Sequence, residues 1–95
     1  MHEDRNNLSE KTLNLKRAID SLKEEIEAVD WYNQRADATN DEQLKEILLH
    51  NANEEKEHAA MVIEWLRRND EGFDKELREY LFTEGDISCH EDESH

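Results

Sequence analysis

In the stretch Asn53-Glu54-Glu55-Lys56-Glu57-His58-Ala59-Ala60-Met61, a carboxylate, Glu55, stands three residues before an imidazole, His58, with no helix breaker nearby. At i, i+3 on a helix the two side chains leave one face about 5–6 Å apart at Cβ, close enough to share a metal ion. The spacing alone is weak, since this composition produces about one such pair by chance. Position says more. Leu44, Leu48, Asn51, Glu55, His58, Val62 and Trp65 alternate steps of four and three, the heptad spacing of a helix packed in a bundle. The pair therefore falls on an apolar stripe, where an unpaired carboxylate costs several kcal/mol. Two readings satisfy it: metal ligation, or a buried hydrogen-bonded pair in a structural helical dimer or a non-redox metal-binding module.

The elements that must position this pair follow from periodicity and punctuation. Ser9 is a natural cap for a first helix over 10–38, which contains neither Gly nor Pro. Ala18, Leu22, Glu25, Val29 and Tyr32 form its stripe, widened by Leu15, Ile19 and Ile26. Glu25 is the carboxylate set among apolar neighbours on that stripe; Glu24, Glu27 and Asp30 point elsewhere and read as a solvated face. A short polar break, Ala38-Thr39-Asn40-Asp41, offers Asn40 as the cap of a second helix over 41–69. So short a connection makes the two helices antiparallel neighbours, and residues level with each other then have numbers summing to about 79 or 80. Glu25 stands level with Glu55 by that count, and His58 is one turn away. Arg67 and Arg68 place positive charge at the second helix's end, with Gly72 as its stop. Phe73, Leu77, Tyr80 and Leu81 predict a third helix over 73–82, expected to dock on a neighbouring chain. The division expected is a flexible N-terminus (1–8), a single helical domain (9–82) and a flexible tail (83–95).

Composition limits the function classes. In 95 residues, Asp plus Glu number 26 against 12 Lys plus Arg, a formal net charge of -14. A phosphate backbone repels such a surface, so nucleic acid is excluded as a partner, whereas cations are concentrated near it. Only 35% of the residues are apolar, too few for one short chain to bury a large core, so association is expected. No apolar run approaches a membrane span, and Met1-His2-Glu3-Asp4 lacks the features of a secretory signal; the cytoplasm is the expected compartment. The single cysteine, Cys89, cannot form an internal disulfide and receives no role, nor do the tail histidines.

The fold class expected is all-α: a two-helix antiparallel hairpin plus a short C-terminal helix, dimerising into a ferritin-like four-helix bundle. A di-iron bundle of that kind takes a Glu from each of two helices and a Glu-x-x-His from each of the other two. This chain has one of each. Two copies about a twofold axis would bring together two Glu25, two Glu55 and two His58, a donor set that suits iron or manganese better than structural zinc and, with iron, would support its oxidation. Tyr32, two turns from Glu25 on the same face, lies near the edge of that site.

The blocks Ser21-Leu22-Lys23-Glu24-Glu25-Ile26-Glu27-Ala28-Val29-Asp30-Trp31-Tyr32, His50-Asn51, Glu54-Glu55-Lys56-Glu57-His58-Ala59-Ala60-Met61, Glu64-Trp65-Leu66-Arg67-Arg68 and Tyr80-Leu81-Phe82-Thr83-Glu84-Gly85 resemble the encapsulated ferritins. The resemblance spans residues 15–85 and implies a ferroxidase that turns Fe²⁺ into Fe³⁺. Glu25, Glu55, His58 and Tyr32 would form its catalytic centre, with two iron ions at each dimer interface. It further implies that Glu24, Glu27 and Trp31 form an entry site for iron or other divalent cations, which replaces the solvated-face reading of those residues. It also implies a ring-shaped decamer of five dimers inside an encapsulin shell that holds the mineral. Members of that family carry a C-terminal shell-targeting peptide, of which Gly85-Asp86-Ile87-Ser88-Cys89-His90-Glu91-Asp92 does not look like a complete copy.

Overall fold

A computed structural model describes residues 2–88; Met1 and residues 89–95, with Cys89, His90 and His95, lie outside the described residues. Three helices make up the regular structure: α1 (Glu10–Ala38), α2 (Glu42–Asn69) and α3 (Glu71–Tyr80), after a 3-10 turn at Arg5–Asn7. No strand occurs among the described residues. The fold is all-α, an antiparallel hairpin followed by a short third helix. Residues 83–88, the described part of the expected tail, are exposed throughout.

Helix α1 begins as its sequence requires, with the Thr12 backbone N–H donating to Ser9 Oγ at 3.2 Å. It ends where the Thr39 N–H donates to the Arg35 carbonyl. The next start lies one residue later than expected. Asp41, not Asn40, is the cap: its Oδ1 accepts from the Leu44 N–H at 3.1 Å, and its own N–H donates to Thr39 Oγ1. A carboxylate outdoes the neighbouring amide because it also meets the positive end of the helix dipole.

The chain divides into two compact units, one ending at Glu64 and one beginning at Trp65. In the first, the closed core is thin: Leu13, Ala36, Ala52 and Ala59. The α1 stripe of Ala18, Leu22, Glu25, Val29 and Tyr32 is half-buried along its whole length. On α2 the burial axis is turned from the expected seam by one residue. Ala52 and Ala59 are closed off and Leu48, Glu55 and Val62 are half-buried, while Leu44 and His58 are exposed. Small side chains let two helix backbones approach closely, so alanines take the centre of the hairpin contact. The larger apolar residues are left on another face: Ile19, Ile26, Leu44, Ile47 and Met61 are between 42% and 58% exposed. Leu44, Ile47, Asn51, Glu54, His58 and Met61 again step by three and four, a second stripe that this chain leaves exposed except at the half-buried Asn51.

In the second unit, Arg67 Nη1 and Arg78 Nε both donate to Asp74 Oδ1, at 2.6 and 2.9 Å. Asp70 caps α3 by accepting from the Phe73 N–H at 2.9 Å. Gly72 therefore lies in the first turn of α3 and is not the stop of α2. A Cβ there would sit 3.3 Å from Asp70 Oδ2, so glycine leaves the capping carboxylate its room. Helix α3 ends at Tyr80, short of the expected residue 82, and Phe82 adopts a φ of 62°. That conformation strains a bulky L-residue, and the Phe82 side chain is fully exposed.

The two arginines hold the Asp74 carboxyl below its ordinary value of 3.8, chiefly through their hydrogen bonds. A lowered folded-state pKa contributes stability that is present above the unfolded value and lost as pH falls through the folded one. The melting temperature of the wild-type chain should thus fall more steeply than that of Asp74→Asn between about pH 5 and pH 2, as read by circular dichroism. Parallel curves would remove the Arg67–Asp74–Arg78 cluster from the stability of this corner.

Candidate metal site

Glu55 and His58 leave α2 one turn apart, and His58 Nδ1 lies 3.5 Å from Glu55 Oε1. The carboxylate faces the hairpin, 24% exposed, and the imidazole faces outward, 47% exposed. The pair thus spans the edge between the covered and uncovered faces of α2. Glu25, on the covered stripe of α1, is half-buried, and its Oε2 is cut off from solvent with no hydrogen-bond partner. A buried acceptor left unpaired costs about 1–3 kcal/mol, so the position calls for a donor or a cation.

Basic side chains do not meet that need. Among the described residues, the ion pairs formed by Lys16, Arg17, Arg67 and Arg78 go to Asp20, Glu10, Asp74 and Asp74. Glu24, Glu25, Glu27, Glu54, Glu55 and Glu57 receive no Lys or Arg; Glu54 is met by His50 Nε2 at 2.6 Å, and Glu55 by His58. Six carboxylates on the central turns of α1 and α2 are left without a lysine or arginine, a donor chemistry that fits hard divalent and trivalent cations.

Of the residues expected to form a site, the structure brings together Glu55 with His58. Among the described residues no group of three or more His, Cys, Asp or Glu is gathered by the single chain. Glu24, Glu27 and Trp31 are exposed on α1, and Tyr32 is half-buried. Sequence reasoning missed Arg35. Its guanidinium carbon lies 5.9 Å from the ring centroids of both Trp31 and Tyr32. The signal was available as an Arg at i+4 and i+3 from two aromatic residues.

A family model described as EncFtn-like matches residues 1–84. The chain belongs to the EncFtn-like family. An encapsulated ferritin-like protein of Rhodospirillum rubrum is 59% identical over 88 residues, 93% of this chain and 63% of the relative, so this chain spans under two thirds of that protein's length. A ferritin-like protein of Thermotoga maritima is 54% identical over 93 residues, covering 98% of this chain and 82% of its own. A crystal structure of a Nitrosomonas europaea protein superposes with a TM-score of 0.89 at 57% identity, covering 93% of this chain and 97% of that one. The expected family and helical architecture are thereby borne out. No helix among the described residues is long and apolar enough to cross a membrane.

The unpaired Glu25 oxygen yields a direct expectation. Glu25→Leu should stabilise the metal-free chain by about 1 kcal/mol in urea unfolding, since it removes a desolvated acceptor and adds apolar packing. A loss of stability of that size would mean that Glu25 has a satisfying partner in solution.

Proposed function

We propose that the chain is a ferroxidase whose di-iron site forms across a homodimer interface, oxidising Fe²⁺ to Fe³⁺ for mineral storage inside an encapsulin shell. The observation that carries this reading is an incompleteness. Glu25, Glu55 and His58 are half of a di-iron donor set, and they border a face whose apolar side chains the chain leaves uncovered. A second copy across that face completes the set and covers Ile19, Ile26, Leu44, Ile47 and Met61 in one step.

The residues divide the work as follows. Glu25 and Glu55 bind two Fe²⁺ substrate ions as hard anionic donors, and their charge stabilises the Fe³⁺ product more than the Fe²⁺ reactant. His58 supplies a neutral donor to each metal, and Glu55 close to its Nδ1 limits the ring's rotation. Two Fe²⁺ together give up two electrons, matching an oxidant of the dioxygen or peroxide class that takes both with protons from solvent. Glu24, Glu27 and Trp31 form the entry site, where exposed carboxylates concentrate Fe²⁺ or other divalent cations. Tyr32 closes the edge of the centre.

Assembly beyond the dimer, a ring-shaped decamer of five dimers, is supported by the second unit. Phe73, Leu81, Phe82 and Ile87 are exposed there, and strain at Phe82 is a feature that persists where a contact compensates it. The protein's place would be the cytoplasm, within a nanocompartment, as the name of the Rhodospirillum relative suggests for that protein.

Met61 lies on the uncovered face, so Met61→Asp should separate the chains without disturbing the hairpin. Iron oxidation should then fall in step with the dimer fraction measured by ultracentrifugation and recover as protein concentration rises. A monomeric variant that oxidises Fe²⁺ at the wild-type rate per chain would refute the shared site. His58→Ala should lower the initial rate by at least about tenfold with assembly retained. An unchanged rate would favour the structural dimer with a merely hydrogen-bonded Glu55–His58 pair. For the entry site, Glu24→Ala combined with Glu27→Ala should leave the assembly intact and change the rate at low Fe²⁺; identical kinetics at every concentration would return both residues to the solvated surface.

A further inference from the structure

Arg35 stands one turn beyond Trp31 and Tyr32 on α1, and its guanidinium lies 5.9 Å from each ring centroid, within the range of a cation–π contact. In a chain with more than two carboxylates for every basic residue, this cation has no ion-pair partner among the described residues and rests on two rings instead. The rings are neighbours in sequence yet differ in setting: Trp31 is 49% exposed and Tyr32 is half-buried. One planar group therefore restrains both a ring on the solvent side and a ring on the covered side of the same helix.

We propose that Arg35 is a positioning residue that fixes the orientations of Trp31 and Tyr32, and so keeps the passage from the entry carboxylates to the oxidation centre in register. This rests on the ferroxidase reading for its consequence in turnover, while the restraint itself belongs to the metal-free chain. Without the guanidinium, both rings lose the cation that lies 5.9 Å from their centroids. Lysine in its place would keep the charge and lose the planar contact, so it should restore the behaviour only partly.

The test uses two readouts. In a Trp65→Phe background, Trp31 is the single indole, because the chain has two tryptophans. Adding Arg35→Ala should raise the acrylamide quenching constant of the metal-free protein about twofold and shorten its fluorescence anisotropy decay, with Arg35→Lys intermediate. In the otherwise wild-type chain, Arg35→Ala should lower kcat for Fe²⁺ oxidation about threefold or more with a smaller change in KM. Unchanged quenching and anisotropy would overturn the restraint. Altered ring mobility with unchanged kcat would overturn the positioning role, and a change confined to KM and abolished by salt would show Arg35 acting only as a charge. A wild-type chain inert toward Fe²⁺ would refute the ferroxidase reading separately, since the fluorescence measurement needs no iron.

Discussion

One carboxylate oxygen, Glu25 Oε2, is reached neither by solvent nor by a hydrogen-bond donor, and much of the molecule can be understood as what surrounds that unmet need. Folding shields it because α1 must put its apolar stripe against α2, and Glu25 is part of that stripe. A shielded carboxylate oxygen of this kind is normally met by a hydrogen-bond donor. Its retention here, together with a half-buried Glu55 level with it by the count along an antiparallel hairpin, makes sense where a cation arrives from outside the chain.

The same logic explains how a small acidic chain can use association. Alanines at 52 and 59 draw α2 close to α1 but bury little apolar area, so the hairpin core stays thin and the larger side chains at 19, 26, 44, 47 and 61 remain open to solvent. Apposing two such faces would bury apolar surface while crowding carboxylates of equal charge. Hydrophobic gain and electrostatic cost then meet in one interface, and a divalent cation shifts the balance by neutralising the second without touching the first.

The architecture was legible because long periodic segments, the Ser9 cap and the short connection all point to the same hairpin. The detail that was not legible lies on α2, where the apolar pattern is wide enough to support two stripes one residue apart. Periodicity cannot choose between Asn51 and Ala52, or between His58 and Ala59, as the centre of contact, because alanine carries little hydrophobic signal yet packs best at close approach. His58 is consequently more exposed in the single chain than its place on the expected seam implied. The misreading of Asn40 and Gly72 has a common cause: each lies within two residues of an aspartate, Asp41 or Asp70, whose charged cap on a helix dipole outweighs the weaker signal near it.

The distribution of basic side chains brings these levels together. Lys16, Arg17, Arg67 and Arg78 pair with carboxylates near the start of α1 and at the corner between α2 and α3, where they secure helix ends. Arg35, in the last turn of α1, lies against aromatic rings instead. A lysine or arginine paired with Glu25 or Glu55 would have satisfied the buried oxygen; on the ferroxidase reading proposed above, it would also have taken a metal's place and cancelled the charge that attracts one. Among the six central carboxylates only Glu54 and Glu55 meet a histidine, and an imidazole beside a carboxylate can serve as a ligand with it. The strong ion pairs therefore brace the start of α1 and the corner between α2 and α3, and none of them reaches the central carboxylates that the proposed reading assigns to cations.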